Sequence, residues 1–249
     1  MKTRKLHSWN LSYARARQLQ VRLAGEVQLV PLESRPEVVA GLDCAFSRDG
    51  SRIFAAVVVL QLPGFEVLET AGVSRKVTFP YIPGLLSFRE APACIAAVEK
   101  LRKQPDLFIV DGQGIAHPRW LGLAAHLGLF FDKPTIGCAK SRLIGTYEEP
   151  PLEKGSYSWL TDPSGKRSDL RMPNADCRLK IANHKSQIAN PIGAVVRTRT
   201  NVKPVFVSVG NKCTLDDAIE FTLACTTTYR LPEPTRLAHQ LVSRLKPEA

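Results

Sequence analysis

The chain has 249 residues, 44% apolar and 23% charged, which is enough to bury one large core or two small ones. Its formal net charge of +11 favours a polyanionic partner, above all nucleic acid. No apolar run approaches the ~20 residues of a membrane span, and the basic start "MKTRKLHSWN" lacks the apolar stretch of a secretory signal. The six cysteines show neither CxxC spacing nor close His/Cys pairing, so they read as reduced thiols of a cytoplasmic protein without membrane or zinc.

From the start, residues 8–25 predict a mostly polar helix with Ser8 or Asn10 as its cap. "PEVVAGLDCAF" (36–46) predicts a strand with the lone acid Asp43 inside an apolar run. "RIFAAVVVLQL" (52–62) is a second strand, and "PGF" turns the chain into a third, "EVLETAGVSRKVTF". Such short connections imply an antiparallel meander. "PYIPG" (80–84) follows, with two fixed proline φ angles around Tyr81 and Ile82 and a permissive Gly84. That combination makes a stiff, non-helical knuckle presenting one aromatic ring.

Next come a helix in "SFREAPACIAAVEKLRKQ" (87–104), a buried strand in "PDLFIVDG" (105–112), a helix in "AHPRWLGLAAHLGLFFD" (116–132) and a strand in "KPTIGCAKS" (133–141). This βαβ rhythm implies parallel pairing with right-handed crossovers. The expected fold is α/β: a mixed sheet, an antiparallel meander followed by parallel strands, with helices on both faces. Residues 163–190 break the pattern with six Lys/Arg against two Asp, and read as a basic loop inserted within a single domain spanning 1–249. "PIGAVVRTRT" and "KPVFVSVG" predict a hairpin, Thr214 caps a helix, and a last helix follows Pro232 and Pro234.

The acids carry the chemistry. Asp43 lies where strands are depleted of Asp and where an unpaired charge is costly. Asp111 ends the fourth strand, at the carboxyl edge where ligands gather in α/β folds. If the first and fourth strands are neighbours, these carboxylates meet and repel unless a hard cation such as Mg²⁺ or Mn²⁺ neutralises them. Glu90 has two readings: it completes an S-x-x-E capping box from Ser87, or, if the helix begins at Pro92, it lies free in the preceding loop. Asp111 in "DG" also fits a plain turn. Gly112 and Gly114 allow close approach of backbone to a ligand. His117 fits either a group titrating near neutrality or a solvent-facing helix start. Lys140 ends the last parallel strand, facing the acids or reaching into water.

Together "VAGLDCAF", "TFPYIPGLLSFRE", "DGQGIAHPRWLG", "PTIGCAKSRLIG" and "RLPEPTRLAH", in order from Val39 to His239, resemble the endonuclease V family of inosine-directed repair endonucleases. The resemblance implies a ribonuclease H-like fold and an acidic site of Asp43, Glu90 and Asp111 around Mg²⁺, or Mn²⁺, with His117 and Lys140 at the same centre. It implies hydrolysis of the second phosphodiester 3′ to deoxyinosine in DNA, leaving 3′-hydroxyl and 5′-phosphate ends. Pro80, Tyr81, Ile82 and Pro83 become a wedge whose ring fills the place of an extruded base. The base pocket falls to Gly112, Gly114, Gly137 and Ser141.

Two departures stand out. Gly210-Asn211 replaces the Gly-His common in the family, removing any ionisable role there. The basic stretch 163–190 is longer than the family blocks require, and an added electrostatic contact with nucleic acid is expected of it. Inosine-containing RNA as substrate, and an inosine binder with impaired catalysis, are the alternatives. A monomer is the expected state.

Overall fold

The structure is a computed structural model and describes residues 1–162 and 191–246. After helix α1 (Tyr13–Ala24), strands β1 (Val38–Phe46), β2 (Arg52–Gln61) and β3 (Glu66–Lys76) form the antiparallel meander. Helix α2 (Leu86–Val98), strand β4 (Leu107–Val110), helix α3 (Leu123–Phe131) and strand β5 (Thr135–Ala139) come next. β4 pairs parallel with β1 on one side and with β5 on the other. Strands β6 (Tyr157–Thr161), β7 (Pro191–Val196) and β8 (Val205–Asn211), then helices α4 (Leu215–Ala224) and α5 (Glu233–Leu245), complete the chain. The eight strands make one mixed sheet in the order β3-β2-β1-β4-β5-β8-β7-β6. The expected hairpin is the antiparallel β7–β8 pair. The basic stretch 163–190 lies outside the described residues.

Strand parity sorts the two faces. In β1, Ala40 and Leu42 pack into the core under α2 and α3, whereas Val39 joins a second core that includes Leu215, Ala218 and Ile219 of α4. Gly41 has the same parity as Val39, and a Cβ there would lie 1.9 Å from the carbonyl carbon of Pro234. Only glycine lets α5 press this closely onto β1. Asp43, two residues on, shares that face.

Local chemistry shifted several boundaries. The cap of α1 is Ser12, whose hydroxyl accepts from the Arg15 N–H, rather than Ser8 or Asn10. Neither reading of Glu90 holds: α2 starts at Leu86 with Leu85 as its cap, and Pro92 sits inside the helix. Glu90 is therefore a helical residue, neither a cap partner nor part of a loop. The Ser87 hydroxyl instead meets Nδ1 of His126 at 3.1 Å. α3 starts at Leu123, later than the apolar run suggested. The chain before it winds back on itself: the N–H of Gly122 reaches the Gly114 carbonyl at 2.9 Å, and Trp120 holds a φ of 60°. Thr214 caps α4 as expected, in a capping box closed by Asp217.

Candidate metal centre and active site

The register assembles the site. Leu42 lies opposite Val110 in the parallel β1–β4 pair, so the next residue on each strand places Asp43 beside Asp111. The Asp111 N–H bonds to the Leu42 carbonyl at 3.0 Å, extending the ladder by one step. Val110 lies opposite Gly137 of β5, so Lys140 emerges at the same sheet edge and its Nζ donates to Asp111. From α5, which packs on the face that Asp43 shares, comes His239. α5 touches Gly41 with Pro234 and Thr235, and one helical turn after Thr235 matches two strand residues from Gly41 to Asp43. The His239 Nδ1 meets the Asp43 carboxylate at 2.7 Å. One ligand atom each from Asp43, Asp111 and His239 lie within 4.8 Å of one another.

The charges in this cluster are not balanced by the protein alone. Burial, and then the Asp111 carboxylate, push Asp43 up, against the pull of His239, Lys140 and the Cys44 N–H. Burial, and then Asp43 and Asp111, push Glu90 up to about 8. Burial disfavours the charge on Lys140, but its hydrogen bond to Asp111 and the two aspartates outweigh that and raise it. Asp43 and Asp111 thus share one ammonium, while Glu90 is answered by the Arg89 charge and the Cys44 thiol. Two oxygen donors and an imidazole, with a third carboxylate alongside, form a donor set suited to a divalent cation.

The knuckle stands apart from this cluster. Phe79 and Leu85 are buried at its two ends, while Tyr81 is 69% exposed between them. Gly84 takes a φ of 77°, the left-handed region open to glycine. His117 belongs to the same assembly: its Nδ1 accepts the Arg119 N–H at 3.1 Å, and its ring is hydrogen-bonded to the Gly84 backbone. Burial, and then the Arg119 charge, lower His117 to about 4. The solvent-facing helix start is overturned, since His117 is 5% exposed and precedes α3.

The small residues are tightly packed. A Cβ on Gly114 would lie 2.0 Å from the Val209 carbonyl oxygen, and one on Gly137 would lie 2.4 Å from the Gly114 nitrogen. Both glycines let the chain's own backbones approach. Ser141 is exposed, and its carbonyl accepts from Gln113 Nε2 at 2.9 Å. Gln113 Oε1 is buried with no hydrogen-bond partner among the described residues.

Asn211 is distant from the acids. It pairs with Thr135 at the start of β5, whereas Lys140 follows the end of that strand, ~16 Å away at ~3.3 Å per residue. Buried there, Asn211 accepts from the Gln28 N–H at 3.0 Å and donates to the Gly128 carbonyl at 3.2 Å. Its role is to tie β8, α3 and the segment after α1 together. The histidine that does reach the cluster, His239, was absent from the expected site. It lay in one of the matching blocks, but only the docking of α5 on Gly41 shows which strand it faces.

The comparisons with known proteins show the family and the fold. The family model for endonuclease V matches residues 21–240. An endonuclease V of Nostoc punctiforme is 43% identical over 244 residues, covering 98% of this chain and 99% of the relative. The crystal structure of an endonuclease V from Streptomyces avermitilis superposes with a TM-score of 0.82 at 37% identity, covering 98% of this chain and 97% of that one. A Ciona intestinalis endonuclease V, crystallised with a 24mer DNA containing an inosine followed by a ribo-adenosine, has a TM-score of 0.72 at 26% identity, covering 93% and 96%. The chain belongs to the endonuclease V family of nucleases, and two carboxylates and a histidine able to hold a metal ion meet at one edge of its sheet.

Proposed function

We propose that this protein is a deoxyinosine-directed DNA endonuclease that hydrolyses the second phosphodiester 3′ to the lesion. The observation that carries the reading is the Asp43–Asp111–His239 cluster, with Lys140 against it, in a fold that also projects Tyr81 into solvent. The Ciona relative's inosine-containing DNA supports the substrate class. In the reaction a water oxygen bonds to phosphorus, the P–O3′ bond breaks, and O3′ leaves with a proton. The products are a 3′-hydroxyl and a 5′-phosphate.

Asp43, Asp111 and His239 would hold a divalent cation, with Glu90 as the additional carboxylate; Mg²⁺ is the proposed ion and Mn²⁺ its substitute. Such an ion neutralises the crowded acids, polarises the phosphate and lowers the pKa of a nearby water. Lys140, half-exposed and fixed on Asp111, directs its ammonium toward the phosphate and offsets charge growing on the non-bridging oxygens. His117, neutral at physiological pH and hydrogen-bonded at Gly84, serves the knuckle in this reading and not proton transfer.

Tyr81, between Pro80 and the Ile82–Pro83 pair, replaces the extruded base in the stack; stacking is worth ~1–3 kcal/mol per base. The hypoxanthine subsite lies at the rim formed by Gly112 and Ser141, because the Cβ faces of Gly114 and Gly137 are filled by backbone. Inosine in RNA is the second reading, favoured by the ribo-adenosine beside the inosine in the Ciona complex.

The test uses end-labelled duplexes carrying one deoxyinosine, an unmodified control and an inosine RNA, each with Mg²⁺ or a chelator. A metal-dependent nick one nucleotide beyond the lesion, absent from the control, is expected. Cleavage of the RNA alone would replace the DNA reading with the RNA one, and binding without any nick would refute both.

A further inference from the structure

The carbonyl of Gly84 is held to an unusual degree. Gln20 Nε2 donates to it at 3.0 Å and Arg119 Nη2 at 2.6 Å, and the His117 ring is bonded to the same glycine. A carbonyl has two lone pairs, so these donors saturate it. The donors are themselves cross-braced. Gln20 is completely buried in α1, donates also to the Leu121 carbonyl at 2.8 Å, and accepts from Arg119 Nε. The Arg119 N–H closes the set on His117 Nδ1. A Cβ on Gly84 would lie 2.5 Å from Arg119 Nη2, so the guanidinium occupies the space that any side chain would need. None of these groups touches the acid cluster. All of them converge on the last residue of an otherwise exposed knuckle.

We infer that Gln20 and Arg119 are positioning residues that lock the knuckle and thereby set how well the enzyme handles an inosine still stacked in a duplex. The inference rests on the proposed function. Extruding a stacked base costs free energy. Stacking of the ring can return part of that cost, but ordering a free backbone takes entropy at every residue. A loose knuckle of five residues would therefore forfeit the whole gain. The brace makes that ordering part of folding, so the ring arrives already placed. An inosine that is already unstacked needs no wedge, and its cleavage depends on the acid cluster alone.

The experiment compares single-turnover cleavage of one deoxyinosine in a fully paired duplex with the same lesion in a single strand. The proteins are wild type, Arg119→Met, Gln20→Leu and Tyr81→Ala. Arg119 is only partly buried, so its variant keeps the test valid if Gln20→Leu fails to fold in a thermal melt. Arg119→Met is expected to lose about tenfold or more on the duplex and less than about twofold on the single strand, matching Tyr81→Ala. A double variant of Arg119→Met and Tyr81→Ala should lose no more than either single one, because both act through one ring. Equal losses on both substrates, or no loss on either, overturn the inference while leaving the nuclease reading intact. A wild type that cuts neither substrate overturns both.

Discussion

The acid cluster and the knuckle brace are both polar and lie in the same molecule, yet their internal accounts are opposite. In the brace the Gly84 carbonyl is saturated by Gln20 and Arg119, and Gln20 gives its second amide hydrogen to the Leu121 carbonyl. In the cluster Asp43 is pushed up by burial and by Asp111, and Glu90 by burial and by both aspartates, with Lys140 and His239 answering the first and Arg89 the second. The brace is finished by folding, whereas in the proposed reading the cluster is finished by a cation. Polar groups that satisfy each other hold geometry, and polar groups that do not are poised to take up a ligand.

The sharpest way to exploit this difference is Asp43→Asn. It removes a ligand, so cleavage should fall by roughly a thousandfold or more. It also removes a repelling buried charge, so without added metal the melting temperature should hold or rise. A variant that loses both activity and stability would make Asp43 an ordinary structural residue. Gly41→Ala is next, because its Cβ would strike the Pro234 carbonyl and shift the helix that carries His239. Overpacking of this kind costs ~1–3 kcal/mol, and here activity should drop with stability in parallel melts and rate assays. Tyr81→Ala should behave in the reverse manner: its ring is 69% exposed, so the melt is unchanged while duplex cleavage weakens by an amount matching ~1–3 kcal/mol.

The brace also predicts a pH effect of known sign. His117 titrates at about 4 in the folded chain against an ordinary 6.5, so the unfolded chain takes up the proton first as pH falls. Its contribution is therefore complete above about pH 6.5 and is lost progressively down to about pH 4, on the order of 3 kcal/mol in all. In melts across that range, His117→Gln should show a flatter acid slope than wild type. An identical slope would remove His117 from the brace. The smallest effect on function belongs to Asn211→Ala, which breaks two buried hydrogen bonds and should cost ~1–3 kcal/mol of stability. The cleavage rate of the folded fraction should be unchanged, as expected for a group a strand's length from the acids.

Much of this arrangement was legible in the sequence, for identifiable reasons. Asp43 stood out because an acid within an apolar strand needs a partner, and Asp111 and Lys140 because strand ends at one sheet edge converge. The meander and the parallel pair followed from short turns and from the βαβ rhythm. The start of α3 was misread because the apolar pattern runs through residues 116–122, which hydrogen bonds between Gly114 and Gly122 hold in a loop. Glu90 was misplaced because Pro92 suggested a helix start, although the surrounding packing carries the helix through it. His239 was missed because its meaning depends on which strand α5 covers, and that depends on the missing Cβ of Gly41. Gln20 gave no signal, since a buried glutamine in a polar helix looks like one more solvated side chain.

Whether a cation completes the acid cluster is decided by the melting temperatures of wild type and Asp43→Asn as Mg²⁺ or Mn²⁺ is added. A site filled to about a hundred times its dissociation constant adds ~2.7 kcal/mol to the folded state. Wild type should rise in melting temperature, and Asp43→Asn should not, over the same metal range that switches on the nick at deoxyinosine. Equal shifts in the two proteins, or no shift for wild type at concentrations that support cleavage, would contradict a cation at Asp43.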